Sequence, residues 1–127
     1  MAAERMRFLV VEDSPMMARM YRMVLGPLAD LVLAGDGAEG LDAAAREPAL
    51  SLMVVDINMP RMDGLEFIRR VRQQPELAAV PVLVCSTEAA PHDRAAAKAA
   101  GATGFLPKPW TPEQLRAAVA EQLAGAA

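Results

Sequence analysis

Five side chains that can do chemistry each stand just past a short apolar run. Glu12 and Asp13 follow Phe8–Val11, and Asp56 follows Leu52–Val55. Ser86 follows Val80–Cys85, and Lys108 comes soon after Phe105-Leu106. Three crowded carboxylates repel one another, so something must compensate them. A hard divalent cation takes oxygen ligands and keeps several waters. No Cys or His stands beside the acids, so the ligand set is all oxygen, which suits Mg²⁺ or Mn²⁺ and not zinc. Lys108 offers one positive charge from the other side. A carboxylate between such a cation and a lysine is placed to attack a phosphoryl group, whose equatorial oxygens the two cations would neutralise. A hydroxyl at Ser86 or Thr87 would then bond a phosphoryl oxygen.

The elements that must hold these groups are legible around them. The runs Phe8–Val11, Leu52–Val55 and Val80–Cys85 are unbroken rather than alternating, as strands buried on both faces of a parallel sheet read. Leu31–Leu33 and Phe105-Leu106 are shorter and read as outer strands, and Pro107, which donates no ladder bond, suits an edge. Between the runs lie helix signals. Ser14-Pro15 gives a cap followed by proline in the first turn, with Met17, Met20, Tyr21 and Val24 on one face and Gly26-Pro27 as a stop. Asp36 and Asp63 each open a helix, each with Glu three residues on. The second of these has Leu65, Ile68 and Val71 inward and Arg69, Arg70 and Arg72 on a solvated face. A fourth helix is expected from about Asp93 to Ala100, ended by Gly101. The last opens at Thr111 and buries Leu115, Val119 and Leu123. Strict alternation implies a (βα)5 doubly wound parallel five-stranded α/β sheet with right-handed crossovers. In such a sheet ligands bind at the carboxyl ends of the strands, where all five groups fall.

Composition narrows the function. The 127 residues make one domain, 1–127, with no output domain expected to follow. A content of 54% hydrophobic and 23% charged residues is that of a globular chain, and 4% aromatic implies an aliphatic core. A net charge of −3 argues against a nucleic-acid surface. The apolar runs are too short to span a membrane, no signal peptide is visible, and the cytosol is the default location. Cys85 is single and reads as a small buried hydrophobe. His92 reads as an exposed residue near a helix start. The methionines at 16, 17, 20 and 23 read as helix packing, the exposed ones offering a pliable partner surface.

Four motifs now stand in order: Val10-Val11-Glu12-Asp13, Val55-Asp56-Ile57-Asn58-Met59-Pro60-Arg61-Met62-Asp63-Gly64, Val82-Leu83-Val84-Cys85-Ser86, and Gly101-Ala102 through Lys108-Pro109. Together they resemble the receiver domain of two-component response regulators, the CheY-like fold, over essentially the whole chain. The resemblance implies the flavodoxin-like strand order 2-1-3-4-5. It implies that Asp56 is the phosphoacceptor for a histidine kinase or phosphotransfer protein. Asp13 and Asp56 would ligate Mg²⁺, with Asn58 through its backbone carbonyl and Glu12 through water. Lys108 would pair with the phosphoryl group. Ser86, favoured over Thr87 by the family pattern, would move toward it, and the Phe105 rotamer would follow. Asn58 and Glu88 would tune self-catalysed dephosphorylation, and Lys108–Pro109 would be cis. The output would be a downstream protein on the face of the fourth helix, fifth strand and fifth helix. A homodimer on activation is left open. The protein would be a stand-alone switch rather than an enzyme by function. Three positions depart from the common pattern: Thr87 where a small residue is frequent, Phe105 for tyrosine and Trp110 for phenylalanine. Two alternatives stay open. A haloacid-dehalogenase-type phosphatase would want a second acid where Asn58 stands, and a receiver that is never phosphorylated would not need the acid cluster.

Overall fold

A computed structural model describes residues 5–47, 49–57, 59 and 62–126. Strands and helices alternate: β1 (Met6–Val11), α1 (Pro15–Leu25), β2 (Ala29–Ala34), α2 (Gly37–Arg46), β3 (Leu52–Asp56), α3 (Gly64–Arg72), β4 (Val82–Ser86), α4 (Pro91–Ala100), β5 (Gly104–Pro107) and α5 (Pro112–Ala126). The strands form one sheet in the order β2-β1-β3-β4-β5, and every pairing is parallel. The expected doubly wound architecture and strand order are therefore both found. Pro107 lies on an edge strand, where its missing N–H costs no ladder bond.

Each central strand feeds two cores because successive side chains point to opposite faces. Leu9, Val11, Met53, Val55, Val82 and Val84 pack with Phe67, Ile68 and Val71 of α3 and Ala97 of α4. Phe8, Val10, Leu52, Val54, Leu83 and Cys85 pack with Tyr21 and Leu25 of α1 and Leu115 and Val119 of α5. This double burial explains the unbroken apolar runs. Each fully buried Leu, Val or Ile contributes about 1.5–3 kcal/mol.

The helix starts follow their local signals. The Ser14 hydroxyl accepts from the Met17 N–H at 3.2 Å. Asp36 and Asp63 accept from the N–H groups of Glu39 and Glu66, each at 2.9 Å. Thr111 and Gln114 form a reciprocal capping box, at 3.1 and 2.8 Å. The expected start of α4 is late by two residues. Pro91 takes the first helical position, and the Asp93 carboxylate, inside the first turn, accepts from the Ala90 N–H at 3.0 Å. On α1, Tyr21 is buried and Met17 and Val24 half-buried, but Met20 is exposed at the margin of the apolar stripe.

Arg72 departs from its solvated reading. It is half-buried and reaches four carbonyl oxygens: Gly101 at 3.0 Å, Leu77 at 3.0 Å, Ala78 at 3.2 Å and Val80 at 2.7 Å. Arg69 and Arg70 do lie on the exposed face, paired with Glu66.

Candidate functional site

The site grows out of the strand ends. β1 delivers Glu12 directly past Val11, and the Glu12 N–H continues the ladder to the Ala34 carbonyl at 2.9 Å. Asp13 follows and is exposed. Asp56 is the last residue of β3, opposite Cys85 of β4. Ser86 ends β4 and is fully buried. The Lys108 N–H donates to the Ser86 carbonyl at 2.8 Å, which fixes the lysine beside the end of β4.

Gly64 is needed at this edge. Its N–H donates to the Ile57 carbonyl at 2.9 Å, and a Cβ there would collide with the Asp56 carbonyl. Asp63-Gly64 reads from sequence as a helix start, which it is. Its second duty, letting α3 abut the Asp56 backbone, has no local signal beyond the glycine itself.

The carboxylates converge. One oxygen from each of Glu12, Asp13 and Asp56 lies within 4.8 Å of the other two. Glu12 and Asp56 are almost wholly buried, whereas Asp13 opens to solvent. The Lys108 ammonium donates to Glu12 Oε1 at 2.8 Å and stands 3.5 Å from Asp56 Oδ1. The other Glu12 oxygen accepts from the Ser14 N–H at 3.1 Å. Glu12 is thus the better satisfied of the two buried acids.

Electrostatics follow from that inequality. Burial pushes the Asp56 carboxyl up to about 6, and the charges of Glu12 and Asp13 add to the rise while Lys108 opposes it. Burial alone would lower Lys108. Its hydrogen bond to Glu12 and the charges of Glu12 and Asp56 outweigh that, so the ammonium is held above its ordinary value. An all-oxygen trio with one open side, whose crowded charges raise the Asp56 carboxyl, suits a hard divalent cation that would relieve that repulsion.

The switch residues lie around this cluster. Ser86 Oγ accepts from the Glu88 N–H at 3.0 Å, and Glu88 itself is exposed, as is Thr87. Phe105 is half-buried and packs on the α2–α3–α4 side of the sheet. Lys108–Pro109 is cis, as expected. Asn58 lies outside the described residues. His92 is exposed, and Cys85 is fully buried, its thiol pushed up to about 11 by that burial. One residue near the site carries no sequence signal. The Arg94 guanidinium lies over the Phe105 ring, 4.8 Å from its centroid.

Among the described residues no helix is long and apolar enough to cross a membrane. The response regulator receiver domain model matches residues 8–120. A chemotaxis protein CheY homolog of Campylobacter jejuni is 32% identical over 113 residues, covering 87% of each chain. The CheY4 chemotaxis protein of Vibrio cholerae is 34% identical, covers 94% of this chain and 99% of its own, and superposes with a TM-score of 0.89. The receiver domain of the sensor histidine kinase PA1611 from Pseudomonas aeruginosa is 25% identical over 94% of this chain and 98% of its own, with a TM-score of 0.87. That structure holds a magnesium ion coordinated in its active site cleft. Acidic cluster, lysine, topology and relatives agree: the chain belongs to the response regulator receiver domain family, the CheY-like switches of two-component signalling.

Proposed function

We propose that this chain is a phosphoacceptor switch in which Asp56 takes a phosphoryl group. The observation that carries the reading is Lys108, which spans Glu12 at 2.8 Å and Asp56 at 3.5 Å at the strand edge where the three carboxylates meet. Asp56 suits the nucleophile's part because it is the less satisfied of the two buried acids. Its carboxylate oxygen would attack phosphorus in line, forming the acyl phosphate as the bond from phosphorus to the donor breaks. The donor would be the phosphohistidine of a histidine kinase or phosphotransfer protein, or a small acyl phosphate. Mg²⁺ (or Mn²⁺) held by Asp13, Asp56, the Asn58 backbone carbonyl and, through water, Glu12 would supply positive charge to the phosphoryl oxygens.

Lys108 would then trade part of its bond to Glu12 for a phosphoryl oxygen, the stronger acceptor at that point. Ser86 would donate its hydroxyl proton to another, drawing the β4–α4 loop with it. Phe105 would follow, shifting the population of the α4–β5–α5 face on which a downstream protein docks. Water would later hydrolyse the acyl phosphate, at a rate tuned by Asn58 and Glu88. The turnover is of the protein's own phosphoryl group, so the role is that of a switch rather than an enzyme.

Acetyl phosphate with Mg²⁺ should add one phosphoryl group to the intact protein, read by mass spectrometry. Asp56→Asn should abolish the adduct, and chelating Mg²⁺ should suppress it in the wild type. An adduct of equal yield on the Asp56→Asn variant would sink the assignment.

A further inference from the structure

The β4–α4 loop, residues 87–90, is the segment that a moving Ser86 must drag. Its first end is tied by the Glu88 N–H to Ser86 Oγ, its second by the Ala90 N–H to Asp93. Between them, the Ala89 carbonyl accepts from Arg94 Nε at 3.2 Å. The same guanidinium covers the Phe105 ring at 4.8 Å. One side chain on the first turns of α4 therefore holds both the loop and the aromatic residue of β5. Among the described residues Arg94 forms no ion pair, so its planar head is given over to the ring and the carbonyl. Arginine suits both jobs, since its plane stacks on an aromatic face while its edge donates hydrogen bonds.

We propose that Arg94 is a positioning residue that latches Phe105 to the β4–α4 loop and opposes the switch. This rests on the reading of Asp56 as phosphoacceptor. If phosphorylation draws Ser86 inward, the Ala89 carbonyl moves with the loop and the ring leaves its place, so both Arg94 contacts must be given up. The latch thereby sets how strongly the acyl phosphate must pull before the surface changes. It also makes the two events one: a loop that shifts loosens the ring, and a ring that turns loosens the loop.

The test follows the Phe105 ring by NMR in wild type, Arg94→Ala and Arg94→Lys, first without ligand and then titrated with beryllofluoride at saturating Mg²⁺. Without ligand, Arg94→Ala should move the Phe105 ring resonances, and Arg94→Lys should restore them in part because a cation returns to the ring. In the titration, the Arg94→Ala midpoint should fall by about two- to fivefold, the factor an exposed cation–π contact carries. A second titration, read by Trp110 fluorescence, repeats the comparison in a Phe105→Ala background, where the Arg94→Ala shift should shrink to less than half. A purely structural role for Arg94 would not depend on Phe105 in this way. Ring resonances that stay put in Arg94→Ala, or an equal shift without the ring, would overturn the latch. A wild type whose Phe105 and Trp110 ignore Mg²⁺ and beryllofluoride would overturn the phosphoacceptor reading instead.

Discussion

Two aromatic residues flank Lys108 in sequence, and they are held in opposite ways. Trp110 is buried against Tyr21, ring centroids 5.2 Å apart at a tilt of 45°, within the core shared by α1 and α5. Phe105 is half-buried, and an exposed arginine from α4 is its lid. The Tyr21 hydroxyl and the Trp110 indole N–H make no well-formed hydrogen bond among the described residues, so packing dominates that side. Burial accordingly drives the Tyr21 hydroxyl far above its ordinary value. The lesson is a division of labour around one lysine. The Trp110 side is a wall packed into the core, while the Phe105 side is closed by contacts that a small rearrangement can release.

The largest expected effect tests the wall. Trp110→Ala should cost about 3–5 kcal/mol in urea unfolding, the range for deleting a buried aromatic. Phe105→Ala should cost less, about 1–2 kcal/mol, because the ring buries only part of its area. Equal losses from the two would break the comparison.

A third variant sharpens it by asking how much strain lies in the site between the flanks. The folded Asp56 value of about 6 is above its ordinary 3.8, so the group's contribution to stability is complete below about pH 4. That contribution is lost as pH rises through 6. Asp56→Asn removes the penalty, and at pH 7 the variant should be more stable than wild type by about 1–2 kcal/mol. The gap should close as pH falls to about 4. A gap that is constant across this range would place the strain elsewhere. The smallest effect is on the lid. Arg94→Ala should change urea stability by less than about 1 kcal/mol while still moving the Phe105 resonances. A large loss would make Arg94 a part of the core rather than a latch.

Much of this was legible in the sequence because the signals are local. A cap and its N–H partner lie three residues apart, so Ser14, Asp36, Asp63 and Thr111 announce their helices. The cluster was legible because a single rule, ligands at the carboxyl ends of parallel strands, gathers residues that lie far apart along the chain. What stayed hidden depends on long side chains reaching distant backbone or rings. Arg69, Arg70 and Arg72 look alike in the chain. Only Arg72, four residues after the buried Ile68, borders the apolar stripe and turns to the loop beyond α3. Arg94 is similarly mute, since its partner ring arrives from the next strand. Met20 misled in the other direction: helical spacing put it with Tyr21, but at the stripe's margin it meets solvent.

Arg72 has a mechanical consequence. By gripping the Gly101 carbonyl together with three carbonyls before β4, it nails down the far end of α4. A rod of ten residues is roughly 15 Å long. Should the switch move α4, a helix tied at this tip would swing most around Pro91–Arg94 and least at Gly101. Under the proposed switch, a partner that touches the Pro91–Arg94 end would then meet the largest displacement.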